Sequence, residues 1–375
     1  MDVLLNDDQM MLQDMTRRFV EDRSPIGALR KLVDGGGTID REAWREGAGQ
    51  GWVALVVPEA QGGIAESVEG LVSAAIVAEE LGRAVSASPF IASATVAYAI
   101  AHSGSDAQRQ SHLEGLFAGE VLGAWCFAGI APRDGIAPAG LAIRADGDGF
   151  VIDGTAGYVE DAAVADLLLV TARGADGLTQ ALLPVDAPGV AVLPLDALDL
   201  GRRVAHVRFD GVRVAADAVL GVSEAADAAF EAQLQMVLAL ICAETVGVTE
   251  RAFEFTLEWV QERYAFNRPI GSFQGLKHRL AEHAAQLEGM KAAAAHAARA
   301  VQNRAGDAAI AVSIAKSHCG RFATEIIRDC IQMHGGIGVT WDHDLHFYAR
   351  RAVSNEALWG TPAVHHERLC QLAGI

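Results

Sequence analysis

The sequence predicts an α+β fold built from three consecutive domains: an N-terminal helical domain (residues 1–119), a middle β-barrel or β-sandwich domain (residues 120–222) and a C-terminal four-helix bundle (residues 223–375). Three observations support this order. Apolar residues recur at helical spacing near the start of the chain. Short β-rich runs follow one another at intervals of about 8–12 residues in the middle. Long alanine-rich segments joined by short corners fill the last part, as in helical bundles.

Two helical patterns predict the first domain. Leu12, Met15, Phe19 and Val20 recur at helical spacing, which indicates an N-terminal amphipathic helix. Residues 72–81 form an alanine-rich segment that we expect to end near Gly82, because glycine commonly follows the last turn of a helix.

The middle domain begins with a predicted β-hairpin. The stretch LAIRADGDGFVIDG reads as two strands joined by a tight turn over residues 146–149, where Asp and Gly supply the turn. Four further runs have the composition of strands: ADLLLVTAR, ALLPV, GVAVLPL and AHVRFDGVRV. Their regular spacing favours one all-β domain over isolated strands.

Three long helices are predicted after the β-domain. The first runs from Ser223, a candidate N-cap, to about Phe266. The second runs from Ser272, which we expect to cap it, to about Arg304, and a third spans about residues 307–334. Pro269 breaks the chain between the first two because it lacks a backbone donor and disfavours helix at the preceding residue.

Composition excludes several classes of function. The chain of 375 residues carries a formal net charge of −18, which argues against binding to nucleic acid or to anionic membranes. Its five cysteines contain no C-x-x-C pair, so neither a disulfide framework nor a metal site is expected. The N-terminus does not resemble a signal peptide, and the apolar run at residues 236–243 is too short to span a bilayer. These features predict a soluble cytoplasmic protein.

Two stretches stand out from the helical background: ERYAFNRPIGSFQ (residues 262–274) and IQMHGGIGVTWDHDLHFYARRA (residues 331–352). The glycines of the second stretch allow another group to approach the backbone closely. Exposed amides beside glycines, with an arginine nearby, suit a pyrophosphate. An ordinary helix corner and a glycine C-cap would explain the same residues without any ligand.

Together the two stretches closely resemble the signature segments of the acyl-CoA dehydrogenase family of flavoproteins. The resemblance extends to LNDDQMMLQDMTRRF, GWVALVVPEAQGG and VRFDGVRVAADAVLG, so it covers nearly the whole chain. It implies the same three-domain fold, bound FAD and removal of hydrogens from the α and β carbons of an acyl-CoA thioester. In such enzymes a carboxylate takes the α proton, the flavin takes the hydride, and an electron-transfer flavoprotein is the expected acceptor.

The resemblance also implies cofactor-binding residues, some of which reach a neighbouring subunit's FAD. Arg263 would pair with the pyrophosphate and Phe266 would pack on the cofactor. Polar and backbone contacts would come from Gln274, Gln332, Gly335 and Gly336. Thr361 matches a further position that contacts the flavin.

The positions of the catalytic base depart from the family. Trp359 stands where many members have a glutamate, and Val237 stands where other members place the base on the first bundle helix. Neither side chain can accept a proton from carbon. Glu244 lies on the same helical face as Val237 and is a weak candidate, but a structural carboxylate paired within the bundle is the simpler interpretation.

The β-domain departs as well. The family's flavin-facing loop commonly reads T-E-P-G-A-G-S-D, whereas residues 125–135 here read WCFAGIAPRDG. Tyr158 and Glu160 align with a strand that usually presents Trp-Ile-Thr to the flavin. A carboxylate at Glu160 would suit a reduced, anionic flavin poorly.

These departures lead to a heteromeric hypothesis. The chain would be one subunit of an α2β2 acyl-CoA dehydrogenase that acts on steroid-derived CoA esters, with a homologous partner supplying the base and the flavin-facing domain. Three alternatives stay open: a self-sufficient homotetramer using Glu244, a flavin-dependent member that does not dehydrogenate, and a structural subunit without flavin contact.

Overall fold

Helices form both ends of the chain and strands form its middle. The computed structural model describes residues 5–37, 39–67, 69–131, 136–221 and 223–375. Within these ranges the α+β class and the order helices, sheet, helices are confirmed. The domain bounds at residues 119 and 222 stay predictions.

Six helices precede the sheet. They are α1 (Asp7–Arg23), α2 (Ile26–Asp34), α3 (Arg41–Ala48), α4 (Gly70–Arg83), α5 (Phe90–Ser103) and α6 (Asp106–Phe117). Helix α1 begins with a capping box, in which Asn6 and Gln9 each accept a backbone N–H of the other. The helix predicted over residues 72–81 lies inside α4, which begins at Gly70 and continues to Arg83.

The middle of the chain forms an eight-stranded sheet in the order β6-β7-β3-β2-β4-β5-β8, with β1 paired in parallel to β4. The strands are β1 (Gly123–Cys126), β2 (Leu141–Asp146), β3 (Gly149–Glu160), β4 (Leu167–Gly174), β5 (Gly177–Pro184), β6 (Val190–Leu195), β7 (Val204–Val214) and β8 (Val219–Leu220). The hairpin predicted around residues 146–149 is confirmed as the β2–β3 turn.

The C-terminal helices pack around one long central helix. They are α7 (Ser223–Glu262), α8 (Gln274–Gln302), α9 (Ala308–His334), α10 (Leu345–Ala357) and α11 (Pro362–Ala373). The segment Ala225–Glu262 is long and apolar enough to cross a membrane by length and composition alone, but 89% of its most apolar window is buried inside the structure. Burial of that degree is what the core helix of a bundle requires.

Two details of the corner between α7 and α8 differ from the prediction. Helix α7 ends at Glu262, and β9 (Tyr264–Ala265) pairs with β10 (Arg268–Pro269), because Phe266 and Asn267 take positive φ angles of 53° and 63° and turn the chain back. The prediction that Ser272 caps α8 is wrong: the N-cap is Phe273, without a side-chain bond. The Ser223 side chain, predicted to cap α7, lies outside the described part of the structure.

The N-terminal helices and the bundle touch backbone to backbone. A side chain at Gly82 would collide with the carbonyl of Glu244, and one at Gly247 would collide with the carbonyl of Glu79. Helices α4 and α7 therefore cross so closely that only glycine fits at these two positions. This crossing brings Glu244 against the end of α4 and the loop that follows it.

Candidate functional site

The helix corner presents its side chains to solvent. Arg263 is exposed, with its guanidinium 5.7 Å from the ring centre of Trp259. Phe266 is 90% exposed and forms a T-shaped ring contact with Phe273, with ring centres 6.2 Å apart. An exposed phenylalanine beside an exposed arginine has no use within this chain, so the corner has the character of a contact surface.

The glycine turn lies beside this corner. Trp259 Nε1 donates to the backbone oxygen of Met333 at 3.2 Å, which ties the end of α7 to the end of α9. Gly335 and Gly336 are exposed, and a side chain at either position would meet no atom of the described chain within 4 Å. Gly335 has a positive φ of 66°, which favours glycine, whereas at position 336 neither the φ angle nor a neighbouring atom of the described chain requires glycine. Open backbone of this kind is accessible to a group from outside the chain.

The other predicted polar contacts share this exposure. Gln274 begins α8 and Gln332 lies in the last turn of α9, and both are exposed. Thr361 is placed elsewhere, as the exposed N-cap of α11, and it also lines the cleft described next.

A second candidate region is an apolar cleft of about 260 Å³ between the sheet, α5 and the α10–α11 turn. Its aromatic walls are Trp125, Phe127, Tyr158 and Trp359. Tyr158 has a positive φ of 53° inside a bulge of β3, where the pairing with β7 shifts register. Tyr158 and Glu160 are two residues apart in β3, a spacing that places side chains on one face of a strand, and both line the cleft. The loop that follows β1 forms another wall up to Ala131, and residues 132–135 lie outside the described structure.

Trp359 fills the position at which a base was sought. Its indole stacks on Phe127, with ring centres 5.4 Å apart and planes at 17°, and lies 5.8 Å from Trp125. Its Nε1 donates to Oε2 of Glu160 at 2.8 Å. Glu160 therefore faces the cleft, as the alignment suggested, but its carboxylate already has a donor there.

Behind the cleft lies a buried ion-pair cluster, which joins the carboxylates Glu160, Asp199 and Glu244 to the guanidiniums Arg202 and Arg351. Arg202 bonds to both Glu160 and Glu244, and Arg351 bonds to Asp199 and to Glu244, the latter at 2.8 Å. The described cluster thus has one more carboxylate than guanidinium. Burial raises the pKa of Glu160, and Arg202 opposes that shift.

Glu244 is fully engaged in this cluster. Its Oε1 accepts from Arg351, and its Oε2 accepts from Arg202 and from Asn355 Nδ2, the latter at 3.0 Å. Burial alone would lower the pKa of Arg202, but its carboxylate partners raise it, so the guanidinium remains charged. Val237 is completely buried in the core. These contacts favour the structural interpretation of Glu244.

Sequence reasoning missed the basic half of the cluster. Arg202 and Arg203 stand directly before β7, which itself carries two further arginines, so no local contrast in charge singled them out. Arg351 offered no signal either, because a second arginine beside it made the pair resemble a solvated helical surface. Among the residues that the structure describes, no group of three or more His, Cys, Asp or Glu could hold a metal ion.

Comparison with known proteins identifies the family. A sequence model of the acyl-CoA dehydrogenase N-terminal domain matches residues 6–120, and one of the acyl-CoA dehydrogenase C-terminal domain matches residues 228–371. The chain belongs to the acyl-CoA dehydrogenase family. Members of this family are FAD-dependent oxidoreductases, so the resemblance drawn from the sequence is confirmed at this level.

Relatives and solved structures agree over the full length. The acyl-CoA dehydrogenase IpdE2 of Mycobacterium tuberculosis is 29% identical over 359 residues, which is 95% of this chain and 94% of that protein. A variant of the steroid ACAD Tcur3481–Tcur3483 is similar in structure, with a TM-score of 0.88, 28% identity and coverage of 98% of both chains. The ChsE4–ChsE5 complex from Mycobacterium tuberculosis has a TM-score of 0.89, 26% identity and coverage of 100% of this chain and 99% of that one.

The two regions of this acyl-CoA dehydrogenase fit FAD unequally. The corner offers an exposed arginine, open glycine backbone and an exposed aromatic ring, which suit the anionic and planar parts of an adenine dinucleotide. The cleft offers a buried carboxylate that is paired with Arg202 and Trp359, so it does not suit a group that must accept negative charge. The corner therefore fits the nucleotide half of the cofactor, whereas the cleft presents aromatic walls and a paired carboxylate.

Two buried basic residues, Lys316 and His365, form hydrogen bonds with the backbone of the turn that carries Trp359. Lys316 donates to the backbone oxygens of Gly360 at 2.7 Å and of Glu356 at 3.1 Å. The imidazole of His365 lies 2.9 Å from the backbone oxygen of Trp359, through Nε2. Burial lowers the pKa of Lys316 to about 8 and that of His365 to about 4. Lys316, which is 2% exposed, therefore fixes the turn that forms the cleft wall opposite the sheet.

We expect Lys316 to give the protein a measurable pH dependence of stability. Because the pKa of Lys316 falls from 10.5 when unfolded to about 8 when folded, the unfolded chain binds more protons between these values. The free energy of unfolding therefore rises with pH in this window. Relative to Lys316→Met, the wild type should gain about 2 kcal/mol between about pH 7 and about pH 9.5.

Urea unfolding of both proteins across this pH range measures the difference. Lys277→Met is the matched control, because Lys277 is an exposed lysine of α8 whose removal should leave the pH dependence unchanged. Parallel stability curves for the wild type and Lys316→Met would contradict a depressed pKa at Lys316.

Proposed function

We propose that this chain is the base-lacking subunit of a heteromeric acyl-CoA dehydrogenase. In this proposal a homologous partner supplies the base and the flavin-facing domain, and this chain's helix corner completes the partner's FAD site. FAD, when bound, accepts the hydride in α,β-dehydrogenation of the acyl-CoA thioester. The contribution of this chain is to bind and orient the nucleotide half through Arg263, Phe266, Gln274, Gln332 and the turn at residues 335–336.

The proposal rests on which residues occupy the positions of a catalytic base and on what they bond to. Trp359 takes one position that a base would occupy and donates a hydrogen bond to the buried Glu160. Val237 takes the other, and nearby Glu244 receives bonds from two arginines and an asparagine. A general base must reach the proton that it removes, whereas the carboxylates of Glu160 and Glu244 are bonded to arginines of the buried ion-pair cluster.

The substrate and the assembly are inferred from similar proteins. Two of the similar solved structures, both more than 25% identical in sequence to this chain, are named after two proteins each: Tcur3481–Tcur3483 and ChsE4–ChsE5. The first of them is called a steroid ACAD. We therefore propose an α2β2 assembly acting on CoA esters derived from steroids, with an electron-transfer flavoprotein as the acceptor. A cytoplasmic location belongs to the same proposal, and the free state of all five cysteines agrees with it.

A self-sufficient homotetramer with Glu244 as the base is the main alternative. It would require Glu244 to leave Arg351 and Arg202, which leaves two buried guanidiniums with fewer partners. A member that does not dehydrogenate needs no base and is compatible with Trp359. A structural subunit without flavin contact leaves the exposed Arg263 and Phe266 unexplained.

The visible absorption spectrum of the chain purified alone separates these possibilities. We expect a colourless protein that gains bound flavin only when it is co-expressed with a homologous acyl-CoA dehydrogenase chain. Absorbance near 450 nm with about one flavin per chain, in the absence of any partner, would support the homotetramer and overturn the proposal.

A further inference from the structure

A second cavity lies away from the cleft and the helix corner, among α1, α2 and α3. Its volume is about 340 Å³, within the range of small-molecule sites. Phe19, Leu29, Trp44 and Trp52 form most of its apolar wall, and Arg23 and Lys31 are exposed residues that also line it. None of these residues takes part in the function proposed above.

Besides Trp44 Nε1, which lies beside Gly119, two polar groups of the cavity wall are buried without a partner in the described part of the chain. The Nε1 of Trp52, a residue that is 2% exposed, has no hydrogen-bond acceptor in the described part of the chain. The Oγ of Ser88, on the loop after α4, has no partner there either. A buried donor that stays unpaired is costly, so both groups favour a ligand that brings an acceptor oxygen.

The wall that carries Ser88 is held rigidly. The backbone oxygen of Ser86 accepts from both terminal nitrogens of Arg351, each at 3.1 Å, and that of Ala87 accepts from Arg203 at 2.7 Å. Leu81, Ser86 and Ser88 also line a small cavity of about 20 Å³ beside Glu244. The loop therefore lies between this cavity and the ion-pair cluster, and the cavity shares no lining residue with the aromatic cleft.

We propose that this cavity is a binding site for an apolar, carbonyl-bearing small molecule that is distinct from the thioester substrate. Aromatic and aliphatic walls take the hydrocarbon part, and the Trp52 N–H and the Ser88 hydroxyl donate to the carbonyl oxygen. The inference stands on the cavity alone and does not depend on the proposed function.

Calorimetric titration of the full chain with the bicyclic ketone 2-decalone tests the site. We expect saturable binding of one equivalent. Ser88→Ala should weaken binding about two- to tenfold, the effect of one neutral hydrogen bond. Ala28→Phe places a ring into the cavity from α2 and should weaken binding more than about tenfold. Ala281→Phe, on the exposed face of α8, is the matched control and should bind like the wild type.

Three results would overturn the proposal: no saturable binding up to the solubility of the ketone, unchanged affinity in Ala28→Phe, or unchanged affinity in Ser88→Ala. Circular dichroism establishes that each variant is folded. If Ala28→Phe does not fold, the Ser88→Ala titration decides alone, because removing one hydroxyl group leaves the packing of the loop intact.

Discussion

Arg263→Ala is expected to remove most of the FAD from the assembled complex while leaving the assembly itself intact. Arg263 lies exposed at the end of α7, beside the open backbone of the turn at residues 335–336. A charge-assisted bond to a pyrophosphate contributes about 1.5–3 kcal/mol, so its loss should weaken FAD binding about 10- to 150-fold. Flavin absorbance per complex after gel filtration measures the loss.

The control for this experiment is another exposed arginine. Arg18 lies on α1 in the N-terminal part of the chain, and Arg18→Ala should retain the wild-type flavin content. Full flavin occupancy in Arg263→Ala would mean that the corner does not contact the nucleotide, and the structural-subunit alternative would then be favoured.

Arg351→Met is expected to cost about 3–5 kcal/mol in free energy of unfolding, the usual effect of removing one partner from a buried ion pair. Arg351 is 1% exposed and bonds to Asp199, Glu244 and the backbone of Ser86. The described cluster already has an excess carboxylate, so losing a guanidinium leaves its three carboxylates with Arg202 alone. Chemical denaturation at neutral pH measures the cost.

Two controls separate this effect from general damage. Arg350 is the neighbouring arginine, half-buried and bonded to the backbone oxygen of Leu198 at 3.0 Å, and Arg350→Met should cost less than about 1.5 kcal/mol. Glu244→Gln removes the excess carboxylate and leaves each guanidinium a carboxylate partner, so it should cost less than Arg351→Met. Equal losses in all three variants would contradict the charge balance inferred here.

The sequence predicts the fold well because the periodicity that defines helices and strands is local. The alternation in β2 and β3, the Asp-Gly turn and the alanine-rich helices each reside in one short segment. The corner was harder to predict, since Phe266 has a positive φ angle that phenylalanine rarely adopts. Ser272 looked like a cap, but it ends a 3-10 turn at Ile270–Ser272, and the N-cap of α8 is Phe273, one residue later.

The candidate site was only half predictable. Trp359, Val237 and the glycine turn could be located because the family's motifs fix their positions along the chain. The partners of Glu244 could not, since Arg202 and Arg351 are 42 and 107 residues away in sequence. Only the tertiary fold brings those charges together, and no local pattern encodes their distance.

The glycine contact between α4 and α7 limits how this subunit can respond to a partner. Because the two backbones meet with no side chain between them, neither helix can slide or rotate without colliding with the other. The walls of the cleft lie on α5, the sheet and the α10–α11 turn, and neither α4 nor α7 contributes a residue to them. The cleft can therefore change its width while this crossing stays as it is.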